Sequence, residues 1–143
     1  MGRVTNSPRR PAPILTADNK FFWDAVGEHR LVAQGCGGCG KLRHPPRPMC
    51  PHCGTLAWGA VDLSGRGTVY SFAVLHHPQN PQFDYPVIAA LVELDEGIRL
   101  VTNLVELLPD EVEIGLPVEV CFEPTADGMA VPVFRPRVLE RRQ

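Results

Sequence analysis

The most constraining feature of the sequence is a pair of Cys-x-x-Cys motifs. Cys36 and Cys39 enclose two glycines, and Cys50 and Cys53 follow after ten further residues. A Cys-x-x-Cys pair places two sulfurs on one ion, and four thiolates complete the tetrahedral shell that Zn²⁺ takes in structural sites. A glycine directly after each pair allows the backbone turn that this geometry needs. The sequence therefore predicts a structural zinc ribbon with Cys36, Cys39, Cys50 and Cys53 as ligands.

Other interpretations of the cysteines are weaker, with one exception. Thioredoxin-like redox motifs occur singly on a βαβ frame, and catalytic zinc keeps one coordination position open. His52 lies between two predicted ligands, so we expect its ring to point away from the metal. Cys121 is expected to be a buried, inert thiol. The exception is iron of the rubredoxin kind, which fits the same spacing as zinc.

Composition places the chain among ordinary globular domains. Its 143 residues are 44% hydrophobic and 21% charged, which excludes wholesale disorder and leaves room for one domain, or for one small domain with a minidomain attached. No apolar run approaches the roughly 18 residues of a membrane span, and no secretory signal peptide is recognisable. We therefore expect the chain in the cytoplasm, where its five cysteines favour metal binding over disulfides.

Proline and glycine favour a mainly β fold. The chain has 15 prolines and 13 glycines, which disfavour long helices. Acidic-Gly turns at 95–97 and 127–128 predict two hairpins, and a helical turn is expected at 108–115. The architecture fits a small, partly open Greek-key barrel of the OB type, although an SH3-like barrel has the same number of strands. Five strands are predicted after the cysteine module, over residues 67–75, 86–95, 98–105, 117–123 and 129–134.

The N-terminal part carries one short amphipathic helix. Thr16 or Asp18 is the candidate cap, and apolar residues follow at helical spacing. The helix either covers the core of its own domain or docks on another protein. The predicted organisation is a flexible arm at 1–13, the helix within 14–30, the zinc ribbon at 31–60, the OB-fold domain at 61–137 and a tail at 138–143.

Charge is unevenly distributed and argues against a nucleic-acid site. Residues 84–127 carry eleven acids and one arginine, a net charge of −10. A nucleic-acid surface needs Lys and Arg to displace counterions, and the candidate stacking residues Tyr70 and Phe72 lack interleaved cations. The basic residues of the ribbon either contact the phosphates of a CoA molecule or form a solvated face. They are Arg30, Lys41, Arg43 and Arg47.

No convincing catalytic set is present in the sequence. The common hydrolase, zinc-protease and Walker motifs are absent. His76 and His77 precede Asp84 and Tyr85 in a proline-rich loop at 76–86, and such groups suit acid–base chemistry. Adjacent histidines in a strand point to opposite faces, however, so we expect this loop to line an interface. We expect the loop and the apolar helix together to offer exposed apolar surface to a partner.

Five ordered segments resemble one known family. The match covers residues 14–136, and its most specific parts are the PPRPMCPHCG element and the SGRGTVYSF junction. The chain is similar to the zinc-ribbon/OB-fold proteins of acyl-CoA metabolism, long catalogued as a domain of unknown function. The segments are CGGCGKLRHPPRPMCPHCGT (36–55), SGRGTVYSFAVLHHP (64–78), VIAALVELDEGIRLVTNLV (87–105), IGLPVEV (114–120) and VFRP (133–136).

The resemblance implies a rubredoxin-like zinc ribbon, an OB barrel and a non-catalytic accessory role. In this family, a member pairs with a thiolase-fold aldolase in actinobacterial steroid side-chain degradation, and archaeal members join a thiolase to hydroxymethylglutaryl-CoA synthase. A thiolase-like acyl-CoA aldolase is therefore the expected partner and would bind most of the acyl-CoA. An acyl-CoA hydratase or an acetyl-transferring thiolase is the alternative partner. A nucleic-acid module and a free-standing CoA carrier are the competing functions.

Overall fold

The computed structural model describes residues 9–138. The predicted arm at 1–13 and tail at 138–143 therefore lie partly outside the described residues. Within this range the chain forms one α-helix, eight strands and one 3-10 turn. The elements are α1 (Lys20–Gly27), β1 (Val32–Cys36), β2 (Leu42–Arg43), β3 (Trp58–Asp62), β4 (Arg66–Leu75), β5 (Val87–Leu94), β6 (Arg99–Leu104), the 3-10 turn (Pro109–Glu111), β7 (Pro117–Pro124) and β8 (Ala130–Pro136).

The ribbon contains a three-stranded antiparallel sheet in the order β2-β1-β3. The central strand β1 is buried along its whole length, whereas β3 is exposed along its whole length. The pairing runs from Val32 with Asp62 to Cys36 with Trp58. Strand β1 thus ends at the first cysteine and fixes its position.

The five strands after the ribbon close into a barrel in the order β4-β5-β6-β8-β7. Strand β8 lies between β6 and β7, so the chain follows a Greek-key path. Leu104 of β6 pairs in parallel with Phe134 of β8, and the N–H of Val105 donates to the Phe134 carbonyl at 2.9 Å. The prediction of an OB-type barrel is confirmed, and the barrel is closed rather than partly open.

All five predicted barrel strands are present, with ends shifted by at most two residues. Both predicted hairpins are present, joining β5 to β6 and β7 to β8. The helical turn expected at 108–115 is a shorter 3-10 turn at Pro109–Glu111. At the junction between ribbon and barrel, a side chain on Gly67 would collide with the Glu93 carbonyl of the neighbouring strand. This close approach explains a glycine inside a strand.

Helix α1 begins later than the sequence predicted. Asn19 Oδ1 accepts from the Thr16 N–H at 2.8 Å, and Thr16 Oγ1 accepts from the Asn19 N–H at 3.3 Å. This closed turn precedes the helix, so Asn19 occupies the N-cap, and the prediction of Thr16 or Asp18 as the cap is wrong. Each of the two polar side chains accepts from the backbone N–H of the other residue instead of capping the helix.

The apolar face of α1 covers the core of its own chain. Phe22, Ala25 and Val26 are buried in one cluster with barrel residues such as Val92 and Phe134. Phe21 and Trp23 are partly buried against the same cluster. The expectation that this helix offers its apolar face to a partner is therefore wrong, because that face packs on the barrel.

Candidate metal centre

The two Cys-x-x-Cys segments fold into matching turns. The N–H of Gly40 donates to the Cys36 carbonyl at 3.1 Å, and the N–H of Gly54 donates to the Cys50 carbonyl at 3.0 Å. Gly40 and Gly54 have φ values of +75° and +76°, in the left-handed region where glycine costs least. Each turn therefore reverses the chain immediately after its second cysteine, as the sequence predicted.

The turns bring the four predicted sulfurs together. The Sγ atoms of Cys36, Cys39, Cys50 and Cys53 all lie within 4.8 Å of one another. The Cys36–Cys53 sulfur distance is 3.4 Å, and the Cys39–Cys50 distance is 3.7 Å. Four thiolates at about 2.3 Å from a tetrahedral Zn²⁺ lie about 3.8 Å apart. The donor set and its spacing therefore fit one zinc ion.

Backbone dipoles favour the thiolate form on the first residue of each pair. The N–H groups of Cys39 and Gly38 point at the Cys36 sulfur, at 3.4 and 3.3 Å, and lower its pKa to about 6. The N–H groups of Cys53 and His52 likewise lower the pKa of Cys50. Thiolates are the form that binds metal, so the backbone prepares both residues as ligands. Cys36 and Cys50 are buried, whereas Cys39 and Cys53 are exposed.

The other candidate ligands lie outside this cluster. His52 Nδ1 lies 3.5 Å from Lys41 Nζ on the exposed face of the ribbon. Cys121 is half-buried in β7, and burial raises the pKa of its thiol. A raised pKa makes this thiol a poor nucleophile.

The basic residues of the ribbon are partly engaged within the chain. Arg30 donates to the carboxylates of Glu28 and Asp62. Arg43 donates from Nε to Gln34 Oε1 at 2.6 Å, and the Arg47 N–H donates to the same buried oxygen at 2.8 Å. Two of the four cations that were candidates for CoA-phosphate contact, Arg30 and Arg43, are thus committed to internal contacts.

The histidine loop at 76–86 is not assembled as an acid–base centre. The Asp84 carboxylate pairs with Arg9, and the Tyr85 hydroxyl accepts from the Asn80 N–H at 2.9 Å. Neither His76 nor His77 has a hydrogen-bond partner in the described part of the chain, and both are exposed. The loop therefore does not bring its titratable groups together.

Sequence reasoning missed a cleft of about 610 Å³ between α1, the ribbon and the barrel. Phe22, Trp23 and Val101 contribute apolar walls, and His44 lines the ribbon side. Burial lowers the pKa of His44, so its ring is neutral at pH 7. Arg10 also lines the cleft, but its guanidinium donates to Glu123 and Asn103. The cleft is suited to binding an apolar group. No sequence signal locates it, because segments far apart in the chain build it.

A four-cysteine ribbon joined to a five-stranded barrel defines a zinc-ribbon/OB-fold protein. The family model for the ChsH2 rubredoxin-like zinc ribbon domain matches residues 23–59, and that for the ChsH2 C-terminal OB-fold domain matches residues 60–123. A chain of the solved structure "Ltp2-ChsH2(DUF35) aldolase" is 50% identical, with a TM-score of 0.85 over 89% of this chain and 100% of that one. The chain belongs to the ChsH2/DUF35 family.

Two curated relatives are much longer than this chain. The "probable enoyl-CoA hydratase alpha subunit" of Thermomonospora curvata is 50% identical over 129 residues, which are 90% of this chain and 40% of that protein. The "3-oxo-4,17-pregnadiene-20-carboxyl-CoA hydratase alpha subunit" of Mycobacterium tuberculosis is 42% identical over 110 residues, which are 77% and 35% of the two chains. This chain therefore spans less than half of either relative. Residues 9–138 contain no helix long and apolar enough to cross a bilayer.

Proposed function

We propose that this chain is a non-catalytic accessory subunit of a thiolase-fold acyl-CoA aldolase that acts on a steroid side chain. The observation that supports the proposal is the similarity to one chain of the Ltp2-ChsH2(DUF35) aldolase. The match covers the full length of that one chain. The steroid substrate class is supported by the Mycobacterium tuberculosis relative, whose name specifies a pregnadiene carboxyl-CoA. The subunit acts in the cytoplasm, where acyl-CoA thioesters are processed.

The contacts within the chain support a non-catalytic role. Four cysteine sulfurs fill a tetrahedral shell and leave zinc no open position for substrate or water. In the histidine loop, Asp84 and Tyr85 are engaged in ion-pair and hydrogen-bond contacts. A general acid–base pair must reach the reacting atoms together, and this geometry offers no such pair. The zinc, held by Cys36, Cys39, Cys50 and Cys53, stabilises the fold.

The partner then supplies the chemistry of carbon–carbon cleavage. In a retro-aldol reaction of a β-hydroxyacyl-CoA, a base takes the hydroxyl proton and the Cα–Cβ bond breaks. The electron pair passes into the thioester enolate, which an acid protonates at Cα. The contribution of this chain is to hold the partner's active site in a competent geometry, which accelerates a reaction by positioning.

The test is reconstitution with the Ltp2-like protein of the same genome. The two proteins are expressed together and separately, and cleavage of a β-hydroxy steroid-acyl-CoA is assayed. We expect co-elution in size-exclusion chromatography and cleavage only when both chains are present. Equal solubility and activity of the partner alone would refute the accessory role, and turnover by this chain alone would refute its non-catalytic character.

A hydratase is the second candidate partner. It is favoured by the two longer relatives, which are named as alpha subunits of acyl-CoA hydratases and match this chain over less than half of their length. In that case this chain docks an aldolase beside a hydratase, and the hydration product passes to the aldolase. Co-purification of a hydratase subunit with this chain, in the absence of the Ltp2-like protein, would support this assignment.

A further inference from the structure

Strand β4 has a free edge over its second half. Arg66, Gly67 and Thr68 pair with β7, whereas Ser71–Leu75 pair with β5 alone and Tyr70 is the unpaired residue of a bulge. Between these stretches, Val69 exchanges backbone bonds with the segment before β7: its N–H donates to Leu116 and its carbonyl accepts from Gly115. Beyond Val69, no backbone group of the described chain pairs with this edge.

The register identifies which backbone groups point outward. In an antiparallel pair, successive residues direct their N–H and C=O groups alternately toward and away from the partner strand. The Leu94 N–H donates to Ile98, away from β4, and the Asp95 N–H donates to Arg66, toward β4. Even-numbered residues of β5 therefore face β6. Their partners on β4 after the bulge are Phe72, opposite Ala90, and Val74, opposite Ile88. The backbone groups of Phe72 and Val74 thus point to the free edge.

The edge lacks the charged and proline residues that usually protect an edge against pairing. Natural edges carry lysines, prolines or inward-pointing charges that block another strand. The stretch at 67–75 contains none of these, and only the bulge between Val69 and Ser71 interrupts its regular pairing. Tyr70, Phe72 and Leu75 are exposed at 45%, 37% and 45%. An apolar edge of this kind is a ready template for an added strand.

An acidic rim lies beside the start of the free edge. The bond between the Gly115 N–H and the Val69 carbonyl, at 2.7 Å, holds the segment after the 3-10 turn against β4. The exposed carboxylates of Asp110, Glu111 and Glu113 precede this contact, and none forms an ion pair within residues 9–138. Charge complementarity therefore calls for an occupant with Lys or Arg beside its apolar residues.

We propose that an extended segment of the Ltp2-like partner adds to β4 as a sixth strand along Tyr70–Leu75. The segment carries apolar side chains at alternate positions and a flanking Lys or Arg that meets the acidic rim. This inference rests on the proposed function, because it assumes that an aldolase subunit binds this chain. Main-chain hydrogen bonds to Phe72 and Val74 supply affinity, and the exposed side chains supply specificity.

The test compares two substitutions at Val74. Val74→Pro removes the outward N–H and leaves the β4–β5 ladder intact, because proline is tolerated where the N–H faces away from the sheet. Val74→Ala is the matched control, since it shortens the side chain and keeps the N–H. Binding to the purified Ltp2-like protein is measured by calorimetry. Val74→Pro removes one hydrogen-bond donor and leaves a carbonyl of the partner's added strand buried without a donor. Binding should therefore be roughly tenfold weaker for Val74→Pro than for Val74→Ala. Circular dichroism and zinc content verify folding.

Amide exchange followed by NMR tests the wild-type complex without any substitution. In the free protein, the amides of Phe72 and Val74 should exchange fast, while those of Ser71 and Ala73, which face β5, should exchange slowly. Partner binding should protect Phe72 and Val74. If the wild type binds but these amides stay unprotected and Val74→Pro binds like Val74→Ala, strand addition is refuted and the accessory role stands. If the wild type does not bind the Ltp2-like protein, the proposed function fails as well.

Discussion

Removal of the metal should unfold the ribbon and leave the barrel folded. From Cys36 to Trp58 the structure buries only Cys36 and Cys50, so almost no apolar surface offsets the ordering of this segment. Ordering costs roughly 1–2 kcal/mol per residue for the backbone alone. Zinc binding to four thiolates contributes on the order of 10 kcal/mol of folding free energy. The metal is therefore the dominant stabilising interaction of the ribbon.

The barrel has a core that does not depend on zinc. Val69, Val92, Val118 and Phe134 are each exposed at 1% or less, and helix α1 packs on the same cluster. Burial of each such side chain contributes about 1.5–3 kcal/mol. Metal loss should consequently produce a partly folded chain with an intact barrel, and not a fully unfolded one.

The assay compares Cys39→Ser with Cys121→Ser. We expect about one zinc per chain in wild type and Cys121→Ser, and strongly reduced zinc in Cys39→Ser. Trp58 reports on the ribbon by fluorescence, because it lies on β3 with its ring 4.5 Å from that of Phe21. Chelation should change this signal while the far-ultraviolet spectrum of the barrel persists. A metal-free ribbon that stays folded would refute the reasoning, and a predominantly iron content would change the identity of the metal.

Three further predictions concern stability and binding. Phe134→Ala should lower the free energy of unfolding by about 3–5 kcal/mol, because Phe134 is fully buried where β8 closes the barrel. Urea titration measures this difference, with the exposed-site variant Val138→Ala as the control. Burial lowers the pKa of His44 from 6.5. The contribution of neutral His44 to the free energy of unfolding should therefore be fully present above pH 6.5 and decrease below it, because the unfolded chain protonates first. Urea midpoints measured across this pH range should fall less in His44→Gln than in wild type. Fluorescence anisotropy at physiological salt should detect no tight binding to single-stranded oligonucleotides, because residues 84–127 carry a net charge of −10; sub-micromolar affinity would contradict this.

The features that the sequence predicted correctly are those that depend only on residues close together in the chain. The two Cys-x-x-Cys turns form as expected, since each needs only two cysteines and the glycine that follows them. The five barrel strands lie within two residues of their predicted ends, because β-branched runs and acidic-Gly turns are local signals. The start of α1 was missed because Thr16 and Asn19 bond to each other, and a propensity argument treats each cap candidate separately.

The sequence by itself determined the four cysteines that are positioned to bind a metal and the class of fold, because cysteine pairs and strand-forming runs are encoded within short segments. Only the tertiary structure decided which surfaces are free. It closed the barrel through Leu104 and Phe134, buried the apolar face of α1 that the sequence left available for a partner, and left the edge of β4 open at Phe72 and Val74. These outcomes depend on strand register and on contacts between distant segments. The free energy of such contacts depends on the side chains that pack together in the folded core, so a short stretch of sequence does not predict it.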